Sequence, residues 1–106
     1  MLDLSNNNLT EIDGLQGLLI IELNLEGNKI RNLTGLAENP RLSVLNVSNN
    51  RISSLAPLTS CLQLHNLNVS GNEIQYIRQV EFLGDFKWLR LFNFSGNPCG
   101  TKKFYR

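Results

Sequence analysis

Five asparagines, Asn7, Asn28, Asn50, Asn72 and Asn97, stand 21, 22, 22 and 25 residues apart, and each closes a near-copy of one short stretch. The copy is clearest in Leu64-His65-Asn66-Leu67-Asn68-Val69-Ser70-Gly71-Asn72-Glu73-Ile74. The same skeleton runs from Ile20 to Ile30, from Leu42 to Ile52 and from Leu89 to Cys99, with a headless first copy from Leu2 to Leu9. A unit this short cannot bury its apolar face alone, so a fixed period in this range requires the copies to stack. Within a copy the apolar residues first alternate, as in Leu67-Asn68-Val69, which predicts a short strand with one buried face. Strands that recur in one direction cannot be joined by hairpins. They must form a parallel sheet with the crossovers on the other side.

After each asparagine the period changes from two to three: Ile52, Leu55, Leu58, Cys61, Leu64 and Leu67 follow at equal steps. Side chains three apart eclipse in a three-ten helix, so this spacing predicts thin crossovers made of three-ten turns. Pro40 and Pro57 also oppose long helices. The fourth copy is longer by three, yet Ile74, Ile77, Val80, Leu83, Phe86 and Leu89 keep the step. A short helix is expected there, over Arg78 to Leu83 and ending near Gly84. The first copy lacks one residue, which compresses Gly17 to Ile21. The asparagine itself has a structural task. Where the chain leaves the strand, backbone groups become buried, and one small amide supplies both donors and an acceptor to the turns above and below.

These residues carry a resemblance. The pattern resembles the leucine-rich repeat, and the period of 22 with Ile or Leu at three-residue steps resembles its SDS22-like class. The resemblance implies an α/β, right-handed leucine-rich-repeat solenoid with about five short parallel strands on the concave face. Three-ten turns and one short helix would lie on the convex side. It makes residues 1–106 a single domain with repeats starting near 1, 20, 42, 64 and 89. Ser95-Gly96-Asn97-Pro98 and the later Phe104-Tyr105-Arg106 are similar to the start of the family's C-terminal cap, placed here at 97–106. The family's cap continues into a helix, whereas this chain stops at Arg106, and Met1 stands where a first copy should be half complete. Both departures lead to the expectation of a fragment of a longer protein.

An apolar share of 42% at a net charge of +1 describes a folded chain and gives no global pull towards nucleic acid. The charge is nonetheless uneven: residues 1–28 hold five acids and no base, and residues 29–106 hold four acids and all ten bases. Such asymmetry can steer a charged partner. No apolar run reaches the roughly 18 residues of a membrane-spanning helix, so no membrane insertion is expected. Cys61 and Cys99 occupy aliphatic positions of the repeat and lack metal-site spacing. They are read as buried thiols, which points to an intracellular, cytoplasmic setting.

The search for chemistry finds no enzyme. His65, the only histidine, has no Cys, Asp or Ser at motif spacing, and Gly14 and Gly17 do not form a phosphate loop. No cofactor, metal or small-molecule substrate is called for. Five Asn-x-Ser/Thr sequons, at Asn8, Asn32, Asn46, Asn68 and Asn93, read mainly as by-products of the repeat. Arg78, Lys87, Arg90, Lys102, Lys103 and Arg106 with Phe104 and Tyr105 make a basic, aromatic end, but without the strong basic excess that RNA binding calls for.

The outward positions of the strands are the candidate site. A central column runs Asp3, Asn24, Asn46, Asn68 and Asn93. The column before it runs Glu22, Val44, Asn66 and Leu91, and the column after it Ser5, Glu26, Ser48, Ser70 and Ser95. His65 and Arg90 lie one position earlier, at the rim. The partner-binding set is Glu22, Asn24, Glu26, Val44, Asn46, Ser48, His65, Asn66, Asn68, Ser70, Arg90, Leu91 and Asn93. Spacing turns Phe92 and Phe94 inward and leaves Trp88 as either a core-edge residue or a contact. The expected function is a non-catalytic protein–protein interaction module. The alternatives are a structural repeat segment of a larger multidomain protein and a scaffold in an RNA particle. The resemblance implies ciliary, cytoskeletal, phosphatase-regulatory and RNA-processing relatives.

Overall fold

The computed structural model of the protein describes residues 1–15, 18–75 and 86–98. Five short strands form one sheet: β1 (Leu2–Asp3), β2 (Glu22–Asn24), β3 (Val44–Asn46), β4 (Asn66–Asn68) and β5 (Leu91–Asn93). All are parallel and lie side by side in chain order. The register is the one the repeat dictates, with Asp3, Asn24, Asn46, Asn68 and Asn93 in line. Leu23, Leu45 and Leu67 point inward with at most 1% of their surface exposed. At the next inward position Leu25, Val47 and Val69 are equally closed off.

The step of three also holds. Three-ten turns occupy Thr34–Leu36 and Ala56–Ser60, and Ile30, Leu33, Leu36, Ile52, Leu55, Leu58, Cys61 and Leu64 are fully buried. The helix expected over Arg78 to Leu83, the compressed stretch at Gly17, and Cys99 with the remainder of the cap at 99–106 lie outside the described residues. Phe92 and Phe94 face inward as expected but are only half-buried, stacked on each other at 5.2 Å between ring centres.

The asparagine ladder accounts for the turns. Asn50 donates through Nδ2 to the carbonyls of Leu25 (2.9 Å), Val47 (3.0 Å) and Ser48 (3.1 Å), and its Oδ1 accepts from the Ile30 amide at 3.0 Å. Asn72 repeats this one coil later on Val47, Val69, Ser70 and Ile52, and Asn28 and Asn97 follow the same scheme. Each amide therefore ties its own turn to the preceding coil. Asn7 is exposed and bonds only within its own coil, to the Leu4 and Ser5 carbonyls.

The residue before each ladder asparagine has positive φ: Asn6, Gly27, Asn49, Gly71 and Gly96. L side chains other than Asn rarely adopt that conformation, which explains why only Asn and Gly occur there. A Cβ built at Gly27 would stand 2.3 Å from Oδ1 of Asn6, and one at Gly71 2.3 Å from Oδ1 of Asn49. The asparagine of one coil thus fills the space that the glycine of the next leaves open.

Two features of the crossovers break the repeat rule. Asn39 stands where the next copy has Cys61, is 2% exposed, and donates to the carbonyls of Leu15 (3.1 Å) and Leu18 (3.2 Å). The amide thus bonds two carbonyls of the shortened first copy, while its own Oδ1 has no partner among the described residues. Gly35 has an ordinary φ, yet a Cβ there would lie 2.2 Å from the Ile12 carbonyl oxygen and 2.8 Å from its carbon. Backbone cannot swing aside as a side-chain tip can. Gly35→Ala is expected to cost about 1–3 kcal/mol, as other small-to-large changes in packed sites do, and a shifted urea midpoint would show it.

The open face of the sheet

Strand alternation places the three columns on the outer face of the sheet, and the paired strands carry them from β2 to β5 in register. Glu22, Val44, Asn66 and Leu91 align in the first column. Glu22, His65, Arg90, Leu91 and Asn93 are exposed, and Asn24, Glu26, Val44, Asn46, Asn66, Asn68 and Ser70 are half-buried. Ser48 is not available as a contact. It is 3% exposed and lies in a row between Glu26 and Ser70. Position in a column decides which way a side chain points, and the neighbours across the strands decide whether a short one reaches the surface, as Ser70 does and Ser48 does not.

The central column is less free than its outward position implies. In each copy the side-chain oxygen accepts from the backbone amide two residues on, at 3.0 Å: Asp3 from Ser5, Asn24 from Glu26, Asn46 from Ser48, Asn68 from Ser70 and Asn93 from Ser95. This Asx arrangement closes the end of the strand and explains why only Asn and Asp stand there. The hydroxyls of Ser5 and Ser70 add bonds of 2.7 Å to the same oxygens. The Asn-x-Ser pattern of these copies is therefore a turn motif. In the first copy the two bonds from Ser5 hold the Asp3 carboxyl below its ordinary pKa.

With the oxygens committed, the column turns amide N–H groups outward. Nδ2 of Asn46 reaches Oε1 of Glu26 at 3.2 Å, while those of Asn24, Asn68 and Asn93 have no protein partner among the described residues. A shallow hollow of about 220 Å³ runs across the middle of this face between Glu22, Val44, Asn46, Asn66 and Asn68. A second, of about 500 Å³, opens at the rim between Gln63, His65, Trp88 and Arg90. Trp88 is 56% exposed, so of its two expected positions it does not take the core-edge one. Gln63 was missed by sequence reasoning. The signal was its place in the row Arg41, Gln63, Trp88, each two residues before a rim position.

No group of three His, Cys, Asp or Glu side chains comes together among the described residues, and none of their helices is long and apolar enough to cross a membrane. Burial raises the Cys61 thiol pKa, and its Sγ lies 3.5 Å from the Leu36 carbonyl. It is a core residue and not a nucleophile.

Comparison with known families finds two matches: a model of two leucine-rich repeat copies over residues 40–83, and a single leucine-rich repeat over residues 1–18. Among solved structures, an internalin of Listeria monocytogenes is 25% identical and superposes with a TM-score of 0.75 over 92% of this chain. The chain spans only 29% of that internalin. The Drosophila melanogaster SNF/U2A′ complex matches with a TM-score of 0.61 and 26% identity, over 96% of this chain and 74% of the matched one. A second Listeria internalin, of the C2 type, shares the fold at 20% identity and a TM-score of 0.57, covering 92% of this chain and 53% of its own. No curated protein sequence matches.

Proposed function

Because the chain is a leucine-rich repeat protein, we propose that it is a non-catalytic binding module that holds a partner polypeptide on the outer face of its sheet. One observation carries this reading. Apart from Asn39, the side chains that build the coil keep one chemical type at each position from copy to copy, whereas Glu22, Val44, Asn66 and Leu91, aligned and accessible, differ in charge and polarity. A face that packing does not constrain yet that is chemically distinct at every strand suits specific recognition. The matched Drosophila chain belongs to a complex, which supports the same use of the fold. The step of three favours the SDS22-like class, the Asn97-Pro98 pair the start of a cap at 97–106, and the buried thiol at Cys61 a reducing, cytoplasmic setting.

A second reading, a repeat segment of a longer multidomain protein, draws on the small share of the internalin that the chain spans. The two separate by experiment. Asn66 and Leu91 make no side-chain hydrogen bond to the rest of the fold among the described residues. Asn66→Glu with Leu91→Glu is expected to lower the melting temperature by no more than about 4–8 °C, since surface changes stay within about 0.5 kcal/mol each. The same pair should abolish capture of the proteins that the wild-type chain retains from its native cell. Retention of those proteins by the double variant would overturn the binding reading.

A further inference from the structure

The β4–β5 end of the sheet face carries two large apolar side chains in the open: Trp88 at 56% and Leu91 at 62% exposure. Backbone bonds bring the flanking residues into line. The amides of Arg90 and Leu91 both donate to the His65 carbonyl, at 2.9 and 3.0 Å, and Arg90, His65 and Trp88 wall the hollow of about 500 Å³ at the rim. Lys87 adjoins them and is exposed. The acids of the sheet face lie at the other end: Glu22 and Glu26 belong to the copy of β2, three strands from β5, about 14 Å at the usual strand spacing, and Asp3 stands on β1, one strand further. The amide oxygen of Asn93 is taken by Ser95, so that side chain offers N–H.

Arg90, Lys87 and the outward amide of Asn93 donate at this end, the fixed charges of its described residues are positive, and an aromatic ring and a leucine lie uncovered among them. Exposed Trp and Arg side by side are the composition of interface hot spots. Building on the protein-binding reading, we infer that this end of the sheet is the anchor of the interface and takes a short acidic, apolar peptide segment. Its carboxylates meet Arg90, Lys87 and His65, and its apolar side chain covers Trp88 and Leu91. The segment lies with its acidic part over β4 and β5, because Glu22 and Glu26 repel it from β2. A nucleic acid fits less well, since phosphate tracking draws on many cations and the described patch holds two fixed ones.

Trp88 is the only tryptophan, so its emission reports on this site alone. The probes are two synthetic twelve-residue peptides, one alternating Glu with Leu and the other Lys with Leu, and a twelve-nucleotide oligouridylate. The glutamate peptide is expected to shift Trp88 emission to the blue and saturate at a dissociation constant at least tenfold below that of the lysine peptide. Arg90→Glu and Arg90→Gln, both at an exposed position, should each weaken the glutamate peptide at least tenfold with an unchanged circular-dichroism melt. Equal responses to the two peptides, no response, or an oligouridylate that saturates the signal as tightly as the glutamate peptide would overturn the assignment. If the glutamate peptide fails while Asn66→Glu with Leu91→Glu still abolishes partner capture, the acidic-segment assignment falls and the binding reading stands. If capture survives that double variant, the reading itself falls.

Discussion

Replacing Asn50 by Ala is expected to lower stability by about 3–5 kcal/mol. The substitution leaves the Ile30 amide, fully buried beneath the turn, without its acceptor, and takes one donor from the carbonyls of Leu25, Val47 and Ser48. A buried group left unpaired costs about 1–3 kcal/mol, and Asn50 is 6% exposed. Each kcal/mol lowers the midpoint of a domain this size by about 4–8 °C, so thermal unfolding should begin well below that of the parent. Asn50→Asp is expected to do no better, because it keeps the acceptor but sets a carboxylate against three carbonyl oxygens. Asn7→Ala provides the control. That amide is exposed and serves only its own coil, and its loss should cost under about 1 kcal/mol. Equal losses at positions 7 and 50 would mean that the amide does not link coils.

The second large effect is expected at Leu45→Ala, about 2–5 kcal/mol from lost burial and the cavity left behind. Leu45 is 1% exposed, between Leu23 and Leu67 on the neighbouring strands, and neither can fill the gap without leaving its own coil. Its neighbour in the chain gives the contrast. Asn46 points outward, yet its oxygen accepts the Ser48 amide, so Asn46→Ala is expected to cost about 0.5–1.5 kcal/mol, the worth of one hydrogen bond. Val44→Ala, with no such bond and half-buried, should cost less still. Chemical denaturation of the three variants gives the order directly. A loss at Val44 equal to that at Leu45 would place the strand in the opposite register.

The register was legible because two facts in the chain agree. Alternation sets which residues of Leu67-Asn68-Val69 turn inward, and the repeat sets which residues of successive copies stand side by side. The buried thiol of Cys61 was legible for the same reason, since its place in the three-residue row has one environment. Ser48 was not. Its column gave its direction, but whether a short side chain surfaces depends on its neighbours across the strands. Nor was the Asx bond of the central column, because an asparagine spaced for the outer face looks the same whether its oxygen is free or holds the next turn. Asn39 shows the complementary failure. Its amide bonds two carbonyls of the shortened preceding coil, and a rule built from the common pattern has no place for a residue that departs from it.

The alternation of Asn6, Gly27, Asn49 and Gly71 ahead of the ladder has a consequence for how such a chain can be lengthened or shortened. An asparagine in one coil lies over the glycine of the next, so the natural tile of this stretch is two coils and not one. Excising the coil that carries Gly27 would set Asn6 against Asn49, with a side chain where the gap had been, and one amide would have to swing out. Excising the coils of Gly27 and Asn49 together would bring Asn6 onto Gly71 and restore the fit. A deletion that sets two of these asparagines against each other should therefore fail, and one that returns an asparagine to a glycine should succeed.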